Sequence, residues 1–527
     1  MASQIPPPNP QADGGAIHND QELCQHLLRN LNRSVALEIL PSRIHNNGTG
    51  LFAMEAIPEG SEIFRSTPLV NCVRSAKHGI ICDYCYASRA ILINANGKFK
   101  AKGEVMVLPK ISLCTQCGVC GYCSKDCQAK ALEKYHKSEC EALKRSPSAD
   151  LWTRMLYRVL AMHKQGTYSE QEWQALHHLC GNQRQNNSVF DSHKGIDISK
   201  GAKTSIQSKL GNEAIQDLFC KVLTNVMCIN HQEGSPGITL DLVGSFVNHS
   251  CDPNAFVFFE GSQLRMRSLK PINAGDEITL TYTELREGVL MRKRKLHRGY
   301  SFFCRCNRCK KEHKELHELS FREGFSIRDF IDTEIKFDNL KNQAFSNRYT
   351  IDQVETILAV LTRAIFPTRP WPDTLLPMSS MKFCFARLYS SSNNHRQAAI
   401  HALQGCLATT NRSGPEWVDF LHTFLRYFAA FIVAPSAAED DIPDPHKLQY
   451  FFNGLLKELL IQGSKVYGMD ARYTIALVLW YADVLNTMEP PLPGEEGFAD
   501  IFGSAQASVL RWVGVDEGMG VDLLVLE

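Results

Sequence analysis

The heptapeptide NHSCDPN, residues 248–254, follows the apolar run ITLDLVGSFV and has the opposite chemical character. The run predicts a buried strand, whereas the heptapeptide places an amide, an imidazole, a hydroxyl, a thiol and a carboxylate in a turn. By itself the turn suits a Cys251 that binds a metal, and it also suits a Cys251 that is a small buried residue. Other parts of the chain must distinguish these two interpretations.

The size and charge of the chain limit the class of protein. Its 527 residues are enough for roughly three or four domains, each with its own core. The 57 basic and 56 acidic residues leave a net charge of +1, which argues against nucleic acid as the main partner. The apolar stretches are shorter than the roughly 20 residues that cross a bilayer, and the polar N-terminus does not look like a secretory signal. We therefore expect a soluble protein with no membrane partner.

Cysteines and one histidine between residues 82 and 140 form four pairs whose spacing is typical of zinc ligands. Four pairs are enough for two tetrahedral zinc ions. If the pairs interleave, the first and third bind one ion, the second and fourth bind the other, and the long gap after the first pair is a surface loop. Cys120 offers a rival partner for Cys117. The predicted ligands are Cys82, Cys85, Cys114, Cys117, Cys123, Cys127, His136 and Cys140.

A second cysteine group, CRCNRC at residues 304–309, contains three thiols, one fewer than a structural zinc needs. Cys251 is the candidate for the fourth ligand, because it is otherwise an unexplained thiol in a polar turn. The sequence thus predicts a third zinc site that consists of Cys251, Cys304, Cys306 and Cys309.

Several motifs along the chain are specific in combination and in their order. GTGLFA (48–53), NHSCDPNA (248–255), GDEITLTYTE (275–284) and GYSFFCRCNRC (299–309) resemble the successive motifs of a SET domain with its post-SET tail. The zinc-ligand region that ends in YCSKDCQAKALEKYHKSEC resembles a MYND zinc finger inserted between the first two of these motifs. The chain is therefore similar to the SET and MYND domain-containing protein-lysine methyltransferases.

This resemblance implies an α+β fold class: a split SET β-fold with an inserted MYND zinc finger, a post-SET zinc site and an all-α, tetratricopeptide-like C-terminal domain. The helical spacing of apolar residues after about residue 320 agrees with the last of these. The implied divisions are a disordered or weakly ordered tail (1–30), the N-terminal part of the SET domain (31–78), the finger (79–143), a helical insert (144–215), the catalytic core (216–286), the post-SET segment (287–315) and the helical domain (316–527).

The resemblance also implies the chemistry. The family transfers a methyl group from S-adenosylmethionine to a protein lysine, so the expected cofactors are S-adenosylmethionine and three zinc ions. An in-line displacement needs a neutral amine behind the methyl group, and burial in an aromatic channel favours loss of the ammonium charge. Tyr282 matches the catalytic tyrosine, although an isolated tyrosine at a strand end is by default a packed residue with a bonded hydroxyl. The residues that match cofactor-binding positions are Gly48, Thr49, Gly50, Asn248, His249, Tyr300 and Phe302.

Partners and alternative functions follow from the same motifs. In the family the finger binds proteins, which implies a Pro-rich peptide as its partner, and the expected location is the nucleus or the cytoplasm. The basic run MRKRKLHR (291–298) is interpreted as a solvated helix face in preference to a nuclear-import or nucleic-acid patch. Two other classes stay open: a catalytically inactive zinc-binding adaptor, and a RING-like ubiquitin ligase, which also interleaves two zinc ions but leaves the SET-like motifs unexplained.

Overall fold

The computed structural model describes residues 17–44, 48–74, 81–87, 110–181, 192–231, 234–346, 348–434 and 442–515. The predicted Pro-rich tail up to residue 16, and residues 88–109 of the predicted loop in the finger, lie outside the described residues. The chain divides into two compact units. The first comprises Met1–Ile91, Met106–Tyr282 and Lys295–Cys304, and the second comprises Leu92–Val105, Thr283–Arg294 and Arg305–Glu527.

Short strands form several small sheets in the first unit. The strands are β1 (Leu37–Pro41), β2 (Thr49–Ala53), β3 (Glu62–Ser66), β4 (Val70–Val73), β5 (Ser112–Leu113), β6 (Gly121–Tyr122), β7 (Met227–His231), β8 (Gly234–Leu240), β9 (Asn248–His249), β10 (Ala255–Glu260), β11 (Gln263–Ser268) and β12 (Thr279–Leu280).

The sheets join residues from both sides of the finger. Strand β3 pairs with β11, which pairs with β10, and β4 pairs with β8, which pairs with β7, all antiparallel. Strands β9 and β12 are parallel, with Asn248 opposite Thr279 and His249 opposite Leu280. The finger and its following helices are therefore an insertion into one β-fold, and the parallel pair brings the heptapeptide beside the end of GDEITLTY.

Helices cover the remainder of the first unit. The bounds are Gln21–Arg29, Lys125–Ala131, Lys137–Arg145, Leu151–Gln165, Glu170–His178, Ser192–Ile206 and Asn212–Asn225, with a π-helical turn at Leu132–His136. The helix Leu151–Gln165 begins where the Asp150 side chain accepts hydrogen bonds from two backbone N–H groups. It ends at Gly166, whose φ of 67° suits a residue without a Cβ.

Two local expectations differ from the structure. Residues 17–30 are not a disordered tail: Gln21–Arg29 is a helix that is capped by Asp20 and buries Leu23, Leu27 and Leu28. The run ITLDLVGSFV is not one continuous strand, because β8 ends at Leu240 and a 3₁₀ turn follows at Gly244–Phe246. The buried Asp241 side chain causes this bend, since it accepts the N–H of Gly244 at 2.7 Å.

The described part of the second unit is helical, which confirms the predicted all-α C-terminal part. Its helices are Asn307–Glu323, Ile327–Phe345, Ile351–Ile365, Met378–Ser391, His395–Leu407, Gly414–Val433, Pro445–Tyr467, Arg472–Leu485 and Phe498–Trp512. The basic run MRKRKLHR lies in the helix Val289–Tyr300, as predicted, but it is not a solvated face: Arg292 is fully buried and bound to Glu312, and only His297 and Arg298 are exposed. Among the residues that the structure describes, none of the helices is both long enough and apolar enough to cross a bilayer.

Candidate active site and metal centres

The eight predicted ligands of the finger form two interleaved groups of four. One group is Cys82, Cys85, Cys123 and Cys127, and the other is Cys114, Cys117, His136 and Cys140. In each group the ligand atoms lie within 4.8 Å of one another, and the sulfurs of Cys85 and Cys123 are 3.5 Å apart. A tetrahedral zinc with Zn–S bonds of about 2.3 Å sets its sulfurs roughly 3.8 Å apart. Both groups therefore fit zinc, and they are the two sets that interleaved pairs would form.

The imidazole of His136 is held by a carboxylate on its second nitrogen. Its Nε2 lies 3.8 Å from the sulfur of Cys117, and its Nδ1 lies 3.1 Å from Oε1 of Glu139. Such a carboxylate orients a metal-binding imidazole and strengthens it as a ligand. The sulfur of Cys120, the rival ligand, lies 3.8 Å from the same carboxylate oxygen and belongs to neither group of four. Cys117 accordingly pairs with Cys114.

The third predicted group is also present. The sulfurs of Cys251, Cys304, Cys306 and Cys309 lie within 4.8 Å of one another. Cys251 is fully buried, and its sulfur lies 3.2 Å from Nε2 of His249. The donor set of four thiols is one that zinc prefers. The three groups thus fit three zinc ions, and the heptapeptide supplies the missing fourth thiol of CRCNRC.

Tyr282 is half-buried and lies directly beside the heptapeptide. Its hydroxyl donates a hydrogen bond to the carbonyl oxygen of Val247 at 2.6 Å, and its backbone N–H donates to Nδ1 of His249 at 2.9 Å. Burial, with a smaller contribution from Tyr300, raises the pKa of the Tyr282 phenol well above its usual value near 10. The hydroxyl therefore stays protonated at neutral pH, where it acts as a hydrogen-bond donor and not as a base.

Aromatic rings surround Tyr282. The ring centroids of Tyr282 and Tyr300 are 4.7 Å apart, and those of Tyr300 and Phe302 are 6.4 Å apart. The His249 ring lies 5.3 Å from the ring of Tyr282 and 5.8 Å from that of Phe302. Burial raises the pKa of Tyr300 to about 12, so this phenol is neutral as well. The structure brings these four sequence-predicted residues together in one cluster of rings.

The side chain of Asn248 joins the heptapeptide to the glycine-containing loop. Its Nδ2 donates to the backbone carbonyl of Thr49 at 2.8 Å and to Oε1 of Glu277 at 2.7 Å. Glu277 also accepts from the Ser42 hydroxyl and from the Arg43 backbone N–H, both at 2.8 Å. The carboxylate of Glu277 thus positions both Asn248 and the chain that enters the loop.

Gly48 and Gly50 lie on either side of Thr49, at the start of strand β2. The Gly48 carbonyl accepts the N–H of Ser42 at 2.9 Å, which closes the loop before β2. A Cβ built on Gly50 would collide with the carboxylate of Glu277. Glycine at position 50 is therefore needed for the close approach of Glu277 to the loop.

Sequence reasoning missed Glu277, Ser42 and the carbonyl of Val247. Glu277 was visible in GDEITLTY, five residues before Tyr282, but neither its charge nor its spacing indicates a partner in another strand. Ser42 and Val247 lie in segments that read as turn and strand, and a backbone acceptor such as Val247 has no sequence signal.

Part of this chain is similar in sequence to a known domain and to several known proteins. A model of the SET domain matches residues 48–283. The human protein Histone-lysine N-methyltransferase SMYD3 is 30% identical over 292 residues, which are 52% of this chain and 61% of that protein. N-lysine methyltransferase SMYD2-A of Xenopus laevis is 28% identical over 288 residues, 52% of this chain and 61% of that protein. SET domain and MYND-type zinc finger protein 6 of Schizosaccharomyces pombe is 27% identical over 274 residues, 50% of each chain.

The SET-domain match spans residues 48–283, and this chain covers 61% or less of the length of each of these three relatives. The three zinc-compatible groups lie where the finger and the post-SET tail were predicted. The chain is therefore similar to the SET and MYND domain proteins, both in its SET-domain match and in its zinc-compatible groups.

Proposed function

We propose that the protein is an S-adenosylmethionine-dependent protein-lysine N-methyltransferase. The observation that carries the proposal is the half-buried Tyr282, whose hydroxyl is held by the Val247 carbonyl and whose ring lies in a cluster with those of Tyr300, Phe302 and His249. A lysine side chain needs an apolar channel for its stem and oriented polar groups at its amine. The aromatic rings of Tyr300 and Phe302 would suit the stem, and the Tyr282 hydroxyl and the Val247 carbonyl would suit the amine.

The residues proposed for the cofactor also suit its chemistry. S-adenosylmethionine would supply the electrophilic methyl group on its sulfonium. It has a flat adenine ring and polar amino-acid groups, for which Phe302, the Asn248 amide and the backbone of the loop at Gly48, Thr49 and Gly50 offer complementary surfaces. Glu277 holds Asn248 and the loop in fixed relative positions, so little ordering is needed when the ligand binds.

The proposed role of Tyr282 is to orient the substrate amine. Because burial raises the pKa of its phenol, Tyr282 does not remove the proton from the ammonium. Loss of that proton is instead favoured by the apolar, aromatic surroundings, which disfavour the charged form. The neutral amine then aligns with the Tyr282 hydroxyl and the Val247 carbonyl, and positioning supplies most of the rate enhancement.

Transfer of a labelled methyl group tests the proposal. The zinc-loaded protein is incubated with labelled S-adenosylmethionine and a cell lysate, and methyl-lysine is identified by mass spectrometry. Tyr282→Phe should lower incorporation roughly 100-fold, as loss of one oriented donor does. Tyr168→Phe is the matched control, because Tyr168 also donates to a backbone carbonyl, that of Val159 at 3.2 Å.

Calorimetry separates this function from the adaptor alternative. Tyr282→Phe should still bind S-adenosylmethionine, since its proposed role is at the amine. Wild-type protein that is fully loaded with zinc yet binds no S-adenosylmethionine would be an adaptor and not a methyltransferase. Equal label from wild type and Tyr282→Phe would remove Tyr282 from the mechanism.

The finger has a separate proposed partner, a Pro-rich peptide. Leu113 and Leu132 of the finger are exposed at 41% and 39%, which gives it apolar surface for such a ligand. Titration of a labelled Pro-rich peptide into wild type and Leu132→Ser would test this, and equal affinity would contradict it. A location in the nucleus or cytoplasm is expected on the family resemblance.

A further inference from the structure

A buried carboxylate in the second unit has no protein partner. Glu334, on the helix Ile327–Phe345, is only 2% exposed. Neither of its carboxylate oxygens has a hydrogen-bond partner among the residues that the structure describes. Both features are costly for an acidic side chain, because a buried polar group without a partner loses its hydration and gains nothing in return.

Glu334 lines a small cavity. The cavity has a volume of about 20 Å³, and its wall includes Gly288, Met291, Phe337 and Met381. A Cβ built on Gly288 would collide with the Glu334 carboxylate, so glycine at this position leaves the space that the carboxylate occupies. The space beside the carboxylate is thus polar at one wall and apolar at the others.

The basic side chains nearby are bound to other acidic residues. Arg286 bonds to Asp419 at 2.5 Å, Lys341 lies 3.3 Å from Asp338, and Arg292 bonds to Glu312. Burial and the charge of Glu287 raise the pKa of Glu334 to about 8; Glu312 acts in the same direction and Arg292 opposes them. The acidic groups around Glu334 therefore carry more negative charge than the nearby basic groups neutralise. This excess charge favours the protonated form of Glu334.

We propose that this cavity binds a primary ammonium group. A cavity needs about 10–15 Å³ to hold one water-sized group, so 20 Å³ admits an ammonium but not the larger, planar guanidinium. An ammonium offers three N–H donors, enough for both Glu334 oxygens, and its positive charge stabilises the ionised carboxylate. The cavity volume holds the ammonium head alone, so the methylene groups that carry the ammonium would lie outside the cavity. The lysine side chain of a protein ligand and a free alkylamine share this chemistry.

The site is separate from the proposed methyl-transfer chemistry, because none of its residues belongs to the set around Tyr282. Isothermal titration calorimetry of the full-length, zinc-loaded protein with n-butylammonium tests it. Wild type should bind this amine, and Glu334→Gln should weaken binding at least 10-fold, since the amide removes the negative charge but keeps the shape. Asp332→Asn is the matched control: this carboxylate is exposed on the same helix and does not line the cavity, so affinity should change less than threefold.

A second measurement follows the proton that Glu334 releases when an ammonium binds. With a pKa of about 8, Glu334 is mostly protonated at pH 7, and it must ionise to bind an ammonium. Titrations in two buffers of different ionisation enthalpy should therefore show release of close to one proton per site in wild type and none in Glu334→Gln. A structural role for Glu334 would produce no such difference.

Several outcomes would overturn the proposal. The proposal would be wrong if n-butylammonium did not bind to the wild type, or if Glu334→Gln bound it with unchanged affinity. It would also be wrong if K⁺ bound as tightly as methylammonium. If Glu334→Gln fails to fold, Gly288→Ala serves as the second variant, because its methyl group crowds the carboxylate without changing charge; unaltered binding there would also overturn the proposal. Tighter binding of Nα-acetyl-lysine methylamide than of cadaverine would identify a protein lysine as the source, and the reverse would identify a free amine.

Discussion

Replacing Arg158 with methionine should release the zinc finger from the helix that follows it. Arg158 lies on the helix Leu151–Gln165 and is fully buried. Its guanidinium donates to Asp83 at 2.6 Å, to Glu139 at 2.8 and 3.2 Å and to the carbonyl of Asn71 at 2.6 Å. Asp83 and Glu139 both belong to the finger, and both are buried. One side chain thus pairs with two acidic groups of the finger and joins them to strand β4.

The magnitude follows from what the substitution leaves behind. Methionine preserves much of the packing against the Tyr135 ring, which lies 3.9 Å from the guanidinium carbon. It leaves two buried carboxylates without their main cation, and removing one partner of a buried ion pair costs about 3–5 kcal/mol. Burial alone would raise the pKa of Glu139, but Arg158 and His136 hold it down at about 2, so the carboxylate is charged in the folded protein.

Hydrogen exchange measured by mass spectrometry reports the local stability of the finger. A loss of about 3–5 kcal/mol corresponds to exchange that is about 10² to nearly 10⁴ times faster in Lys125–Arg145. The control is Lys130→Met, which removes the exposed pair of Lys130 with Asp126, 2.8 Å apart, and should leave exchange unchanged. If Arg158→Met changed exchange no more than Lys130→Met does, the ion network would not hold the finger in place.

Two further substitutions test the remaining contacts of the site. Cys251→Ser should lower the zinc content, measured by mass spectrometry of the metal, from three ions to two, because the three thiolates of CRCNRC then lack their fourth ligand. The control is Cys228→Ser, at an exposed cysteine, which should keep all three ions. An unchanged zinc content in Cys251→Ser would contradict the third site. Glu277→Gln should weaken the binding of S-adenosylmethionine, measured by calorimetry, by about 10- to 100-fold, because Asn248 and the loop lose their charged hydrogen-bond acceptor. The control is Glu38→Gln, on the exposed face of β1, which should have no effect. Equal affinities in the two variants would show that Glu277 has no positioning role.

The metal groups were predictable because ligand chemistry restricts both residue type and spacing. Zinc accepts few donor types and needs four of them, so the eight ligands could be predicted from the sequence, whereas the sharing of one ion by Cys82 and Cys123 was predicted only on the condition that the pairs interleave. The same counting argument connected Cys251 to CRCNRC. The ordered SET-like motifs then predicted the mixed β-fold and the all-helical C-terminal part.

Other features depend on tertiary context that the sequence does not display. Arg158 lies in a helix with an ordinary amphipathic pattern, and only the folded chain brings it between Asp83 and Glu139. Residues 21–29 are polar enough, in mean composition, to resemble the preceding tail, and their helix is stabilised by burial of Leu23, Leu27 and Leu28. The bend after Leu240 depends on one side-chain hydrogen bond from Gly244 to Asp241, which strand periodicity does not reveal.

The heptapeptide joins a metal-binding thiol to the candidate catalytic phenol through one imidazole. Nδ1 of His249 accepts the backbone N–H of Tyr282, so the proton of a neutral imidazole must be on Nε2. Nε2 lies 3.2 Å from the sulfur of Cys251, where its N–H can donate to a thiolate. Ionisation of Cys251 by zinc would therefore favour the same tautomer that positions Tyr282. The mixture of polar groups in NHSCDPN is explained by these two connections, because a wholly apolar turn could make neither of them.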